Sequence, residues 1–337
     1  MRHKKKPVVM VTGASAGVGR AVVREFAKDK ARIGLIARGH DGLEGAAREV
    51  EATGGEALIL PLDVSDSQAV EDAAARLEER FGPIDIWVNA AFAGTLMRFL
   101  DMSAQDYERV TSVTYMGQVN GTRAALKRMV PRDHGSVVLV GSALAYRGIP
   151  LQSAYCGAKH AIQGFHDSIR SELIHDRSAV SVSMVQLPGV NTPQFDWIKT
   201  NLPNKPRPAS PPYQPELAAR AIHFMAHSRR KSLKLAWPTW EAIWGDRLAS
   251  PLLDRYLAHT AFAGQQDSQP VSPDRRDNLY EPVPGDHGAH GRFDATARTV
   301  SPLFWMSRHR TALSLATLAT VGAGLAAALL GRGGKRK

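Results

Sequence analysis

Through the first 260 residues, short apolar runs rich in β-branched residues alternate with amphipathic stretches of helical length. The runs predict strands over Val8–Thr12, Arg32–Ala37, Ala57–Leu62, Ile84–Asn89, Ser136–Val140 and Val180–Gln186, with a weaker seventh near Ser232–Trp237. They are nearly continuous in apolar residues, as strands buried on both faces must be. Helical periodicity predicts helices over Val18–Lys28, Gly42–Thr53, Asp66–Phe81, Ser103–Met129 and Ser153–His175. Strand and helix in alternation make the βαβ pattern of a parallel sheet covered by helices, so the fold class is α/β.

Three segments break the pattern. Pro188 to Pro215 holds eight prolines with Phe195, Trp197 and Tyr213 among them, and predicts an irregular arm rather than a central element. Residues 261–302 turn to Asp, Pro, Gly, His and Arg, and read as a linker or loosely ordered extension after a 7–260 domain. The histidines around Asp286 are read as a solvated run, with no metal expected. In the 303–337 tail, Thr311–Gly331 is twenty-one residues without a charge. As a helix it would reach about 31 Å, a bilayer core, and basic residues flank it on both sides. A membrane anchor and an Ala-rich helix packed on the protein or in an oligomer are the two readings. With no apolar signal region near the start, the catalytic part is expected in the cytoplasm.

The net charge of +11 suggests nucleic acid until it is placed on the chain. Ten of the eleven charges sit at the ends, in residues 1–6 and 301–337. The body is near neutral, which argues against a nucleic-acid partner. One cysteine, Cys156, excludes an internal disulfide framework.

Chemistry enters at the first strand end. Thr12-Gly13-Ala14-Ser15-Ala16-Gly17-Val18-Gly19 lies between a strand and a helix. Small residues there let the backbone approach a pyrophosphate, and the helix N-terminus offers free N–H groups and a positive dipole end. Gly13, Ser15, Gly17, Val18 and Gly19 are therefore cofactor-binding candidates. The second strand ends in Arg38 rather than an acid, and its planar fork suits a 2′-phosphate, so NADP(H) is expected over NAD(H).

Mid-chain, Ser142 follows a strand, and Tyr155 and Lys159 stand four residues apart on one helix face. A phenol titrates near about 10, too high for proton transfer at neutral pH, unless a nearby ammonium and an oxidised nicotinamide lower it. Cys156, one step along the helix, is turned away and expected to pack.

In these residues the chain resembles the short-chain dehydrogenase/reductase family, in its compact single-domain branch, over roughly residues 7–240. The carrying positions are the glycine turn, Asp63, Asn89-Ala90-Ala91, Ser142, Tyr155, Lys159 and Pro188-Gly189. The resemblance implies a doubly wound, Rossmann-type sheet of about seven strands binding NAD(P). It implies Tyr155 as general acid/base, Ser142 positioning a carbonyl, and Lys159 holding the nicotinamide ribose. Asp63 with Val64 would sit by the adenine, and Asn89 would steady the central strand. Pro188, Gly189 and Thr192 would lie toward the nicotinamide. Two departures stand out: Thr114 takes the place of an asparagine that binds a relay water in relatives, and Thr192 lies nearer the glycine than usual. The long helices starting near Ser103 and Ser153 imply a homodimer or homotetramer.

The reading is an NADP-dependent oxidoreductase acting on a carbonyl or alcohol, with a lipophilic substrate if the tail is membrane-held. The alternative is a catalytically silent NADP-binding scaffold or sensor. Met97, Phe99, Tyr146, Phe195 and Trp197 are candidates for an apolar substrate pocket.

Overall fold

Strand β1 (Val8–Thr12) is buried along its whole length, and its side chains alternate between two cores. Val9 and Val11 enter a layer with Val22 and Phe26 of α1 (Gly17–Ala27), Leu43 and Val50 of α2 (His40–Ala52), and Ile222. Val8 and Met10 enter the opposite layer with Leu77 of α3 (Ser67–Phe81), Trp87 and Ile162. The computed structural model describes residues 6–209, 211–314, 317 and 320.

Six further strands complete one sheet: β2 (Arg32–Ala37), β3 (Glu56–Pro61), β4 (Ile86–Asn89), β5 (Ser136–Ser142), β6 (Ser181–Leu187) and β7 (Ser232–Lys234). Their order is β7-β6-β5-β4-β1-β2-β3, and every pairing is parallel. The expected doubly wound sheet is therefore present, with strand ends shifted by at most three residues. The chain reverses direction across the sheet between β1 and β4, so a crevice opens at their carboxyl ends. The glycine turn leaves β1 there, Asn89 ends β4 and Ser142 ends β5.

The helix expected over Ser103–Met129 is divided. α4 (Ala104–Thr111) is capped by Ser103, whose hydroxyl accepts from the Asp106 N–H. A wide π turn over Ser112–Met116 leads into α5 (Gly117–Met129). α6 (Ser153–His175) matches its expected bounds. The structure adds α7 (Pro215–Ala226) and α8 (Trp237–Gly264), the latter interrupted at Ala249, two residues before Pro251. Trp237 thus begins a helix instead of ending β7.

The proline-rich arm has one helical turn at Gln194–Trp197 and two short strands. Asn204–Pro206 pairs antiparallel with Gln266–Pro270. Residues 265–302, expected as a loose linker, instead lie along the body: Leu279 is 0% exposed and Ala289 2%. α9 (Pro302–Arg308) follows. No helix among the described residues is long and apolar enough to cross a membrane. Most of 311–331 lies outside the described residues.

Candidate active site

Close backbone packing explains the glycine turn. A side chain on Gly13, where φ is +73°, would place Cβ 2.9 Å from the Ala91 backbone. On Gly19 it would lie 2.0 Å from the Gly13 carbonyl oxygen. Thr12 Oγ1 accepts from the Ala90 and Ala91 N–H groups at 3.0 and 3.1 Å, tying β1 to the end of β4. α1 begins at Gly17 with no side-chain cap, and its first N–H, that of Gly17, is met instead by the Gly288 carbonyl at 3.0 Å. Val18 and Ser15 are half-buried at this rim, and the Ser15 carbonyl accepts from Arg20 Nη1.

At the end of β5, Ser142 Oγ accepts from the Leu144 N–H at 3.1 Å, which leaves its own O–H proton for another acceptor. Lys159, one turn along α6, is 2% exposed and donates from Nζ to the Val140 carbonyl at 2.7 Å. Its Nζ stands 5.4 Å from the Tyr155 ring centroid. Burial pulls the Lys159 ammonium down to about 7. The same burial raises the Tyr155 phenol above its ordinary value, opposed by the Ser142 hydrogen bond. The protein by itself therefore does not lower the phenol as the spacing suggested, because desolvation penalises a phenolate more than this neighbourhood repays. Cys156 is buried and pushed up to about 11, a packing residue as expected.

Thr114 departs from its expected part in a water relay. Its buried hydroxyl donates to the Ala93 carbonyl at 2.8 Å and accepts from the Ala93 N–H at 2.9 Å. With its only proton committed to backbone, it pins the π turn to the segment after β4. Asn89 is likewise inward: its Oδ1 accepts from Trp87 Nε1 and its Nδ2 donates to Thr122, so it steadies β4 and offers nothing to a ligand. Asn120, too far along to replace Thr114, donates to the Val64 carbonyl.

The expected adenosine end is occupied by the chain itself. Arg38 Nη1 donates to the carbonyls of Leu279 and Tyr280, and Nη2 to that of Asn278. Asp63 pairs with Arg109 and accepts from Ser65, and Arg109 Nε also donates to the Leu279 carbonyl. Val64 is buried against this group's floor, beside Gly117. Toward the other end, Thr192 is buried against Gly17, whose added Cβ would be 3.1 Å from its methyl carbon. Pro188 is buried, and the Gly189 carbonyl accepts from the Tyr213 N–H.

The apolar pocket candidates do not converge. Phe99 is exposed and Met97 buried, while Phe195 packs edge-on against Phe293 and Trp197 against His287. Sequence reading missed Phe92, edge-on to Tyr155 at 5.8 Å, together with Arg109 and Leu279. Leu279 stands alone in a polar run, and no periodic signal marks it as buried.

Residues 7–202 match the short chain dehydrogenase family. The chain is 30% identical over 289 residues to an uncharacterized oxidoreductase, YxnA, of Bacillus subtilis, covering 85% of this chain and 81% of that one. It is 35% identical over 170 residues to human dehydrogenase/reductase SDR family member 7, about half of each chain. Among solved structures it is similar to an alcohol dehydrogenase of Thermococcus sibiricus complexed with 5-hydroxy-NADP, at 27% identity and a TM-score of 0.58 over 68% of this chain and 95% of that one. A metagenomic short-chain oxidoreductase in complex with NADP matches at 25% identity and the same TM-score, again covering 68% of this chain and 95% of that one. Parallel sheet, glycine turn and Ser142-Tyr155-Lys159 thus meet an independent likeness in sequence and in fold: the chain belongs to the short-chain dehydrogenase/reductase family of oxidoreductases.

Proposed function

We propose that the enzyme is NADP(H)-dependent and moves a hydride between the nicotinamide and a carbonyl or alcohol carbon, with Tyr155 transferring the proton. The observation that carries this is the group at the carboxyl edge: Ser142 at the end of β5, with Tyr155 and buried Lys159 one turn apart on α6 and the Lys159 Nζ 5.4 Å from the Tyr155 ring centroid. The catalytic end of the groove fits a dinucleotide, since side chains on Gly13 or Gly19 would collide with backbone and no side chain caps the start of α1. When bound, the nicotinamide supplies the hydride and, oxidised, a positive charge. Lys159 would hold the adjoining ribose and Thr192 would border it. Ser142 orients the substrate oxygen, and Tyr155 Oη gives up or takes the proton on it. Lys159 steadies the phenolate that forms. The neighbours bound to NADP and its 5-hydroxy derivative favour NADP(H) over NAD(H). The adenosine end does not fit as it stands, because Arg38's fork is filled.

Replacing Tyr155→Phe should cut hydride transfer by about 10²–10⁴-fold while NADPH fluorescence still reports binding. Loss of binding together with turnover would overturn the role given to Tyr155.

We also propose that the enzyme works at a membrane on lipophilic substrates, as a homodimer or homotetramer. Along α8, Trp237, Trp244, Leu248, Leu252 and Tyr256 are exposed, and Trp305 and Met306 of α9 are exposed as well. A run of outward aromatic and aliphatic side chains suits the interfacial region of a bilayer. The full chain should float with phosphatidylglycerol vesicles, and Trp244→Ser with Leu248→Ser should weaken flotation. Protein left entirely in the bottom fraction would sink this reading.

A further inference from the structure

We propose that residues 277–294 are a built-in competitor for the dinucleotide, a strap that occupies the adenosine end of the groove and must leave before NADPH binds fully. This rests on the NADP(H) reading above. The strap touches the groove at residues assigned to the cofactor. The carbonyls of Asn278, Leu279 and Tyr280 take three donors of Arg38. A 2′-phosphate would compete for the same planar fork, in which the carbonyls take both N–H groups of Nη1 and one of Nη2. Leu279 is 0% exposed and its carbonyl is shared between Arg38 and Arg109, the partner of Asp63. Further along, the Gly288 carbonyl accepts from the Gly17 N–H at 3.0 Å, taking the first amide of α1 at the glycine turn.

The strap is shaped for this path. Asp286 meets Arg20 at 3.1 Å, and the Gly285 N–H donates to Asp41 at 2.7 Å. Gly285 and Gly288 have φ of +102° and +62°, in the region that favours glycine. A side chain on Gly291 would place Cβ 2.4 Å from the Thr192 carbonyl oxygen. The Phe293 N–H and Asp294 carboxylate close the strap onto Asn191. Little regular structure holds it internally, since 277–294 contains no helix or strand. Release costs these contacts together with the pairings of Tyr280 with Asp106, His290 with Glu216 and Arg292 with Asp196 and the burial of Leu279 and Ala289. A strap docked about 90% of the time would raise the apparent Kd about tenfold.

The test uses the full chain, with NADPH and adenosine 2′,5′-bisphosphate as probes. Gly291→Val crowds the strap off Thr192, and Asp286→Ala removes its anchor on Arg20; neither touches the catalytic group. Both variants should bind NADPH and the bisphosphate several-fold more tightly than the native chain. In the native chain, NADPH should speed hydrogen exchange across 278–288, a readout that holds even if a variant fails to fold. Slower exchange there with NADPH, or weaker binding in the variants, would overturn the proposal and make the strap a lid over bound cofactor. Unchanged affinities in all three proteins would overturn it while leaving the cofactor reading intact. Failure of every protein to bind either probe would overturn both.

Discussion

Thr114 illustrates how one hydroxyl can be used up. Its proton and a lone pair go to the two backbone groups of Ala93, deep in the protein where neither group reaches water. Thr114→Val keeps the shape and removes both bonds, leaving a buried N–H and C=O unpaired. The expected cost is about 2–3 kcal/mol, read as a lower urea midpoint. A variant as stable as the native chain would show that the tether carries nothing. Tyr155 and Lys159 make the opposite case, since burial pushes the phenol up and the ammonium down, both toward neutrality. Their spacing was legible in the sequence, but the direction of each shift was not, because desolvation depends on what the rest of the chain packs over them.

Among the elements, the inner strands were the most legible: β1 and β5, buried along their whole length, read as continuous apolar runs whatever their neighbours. The helix starts capped by Asp66 and Ser103 were nearly as clear. Asp66 accepts from the Gln68 and Ala69 N–H groups, both at 3.0 Å, at the start of α3. Asp66→Ala should lower stability by about 1 kcal/mol in denaturant unfolding, and no change would show that solvent caps the helix as well. α8 was not legible. Its large apolar residues face outward and Pro251 lies inside it, so neither its periodicity nor its composition announces a helix. The π turn was hidden for another reason: it exists to meet Ala93, which lies twenty-one residues away.

For the molecule as a whole, the buried Lys159 predicts a pH dependence of stability. Its folded value is depressed to about 7, whereas unfolded lysine titrates near about 10.4. Between these values the unfolded chain binds more protons, so stability should rise with pH across that window. Urea midpoints from pH 7 to pH 10 should climb in the native chain, and this part of the rise should vanish in Lys159→Met. A native curve that falls across the window with no difference in the variant would contradict the assignment. The described extension also changes the molecule's character, because a segment that looked like a linker covers the groove it was thought to trail behind.

The sequence by itself determined the sheet, the glycine turn after β1 and the placing of Tyr155 and Lys159 on one helix face, because each rests on local rules: strand burial, glycine where backbone must come close, and helical spacing of four. Only the tertiary structure decided what Arg38, Thr114 and Leu279 do. Their partners lie far along the chain, Arg38 meeting carbonyls some 240 residues away. No local pattern encodes a hydrogen bond whose acceptor is a backbone carbonyl, since every residue type carries one.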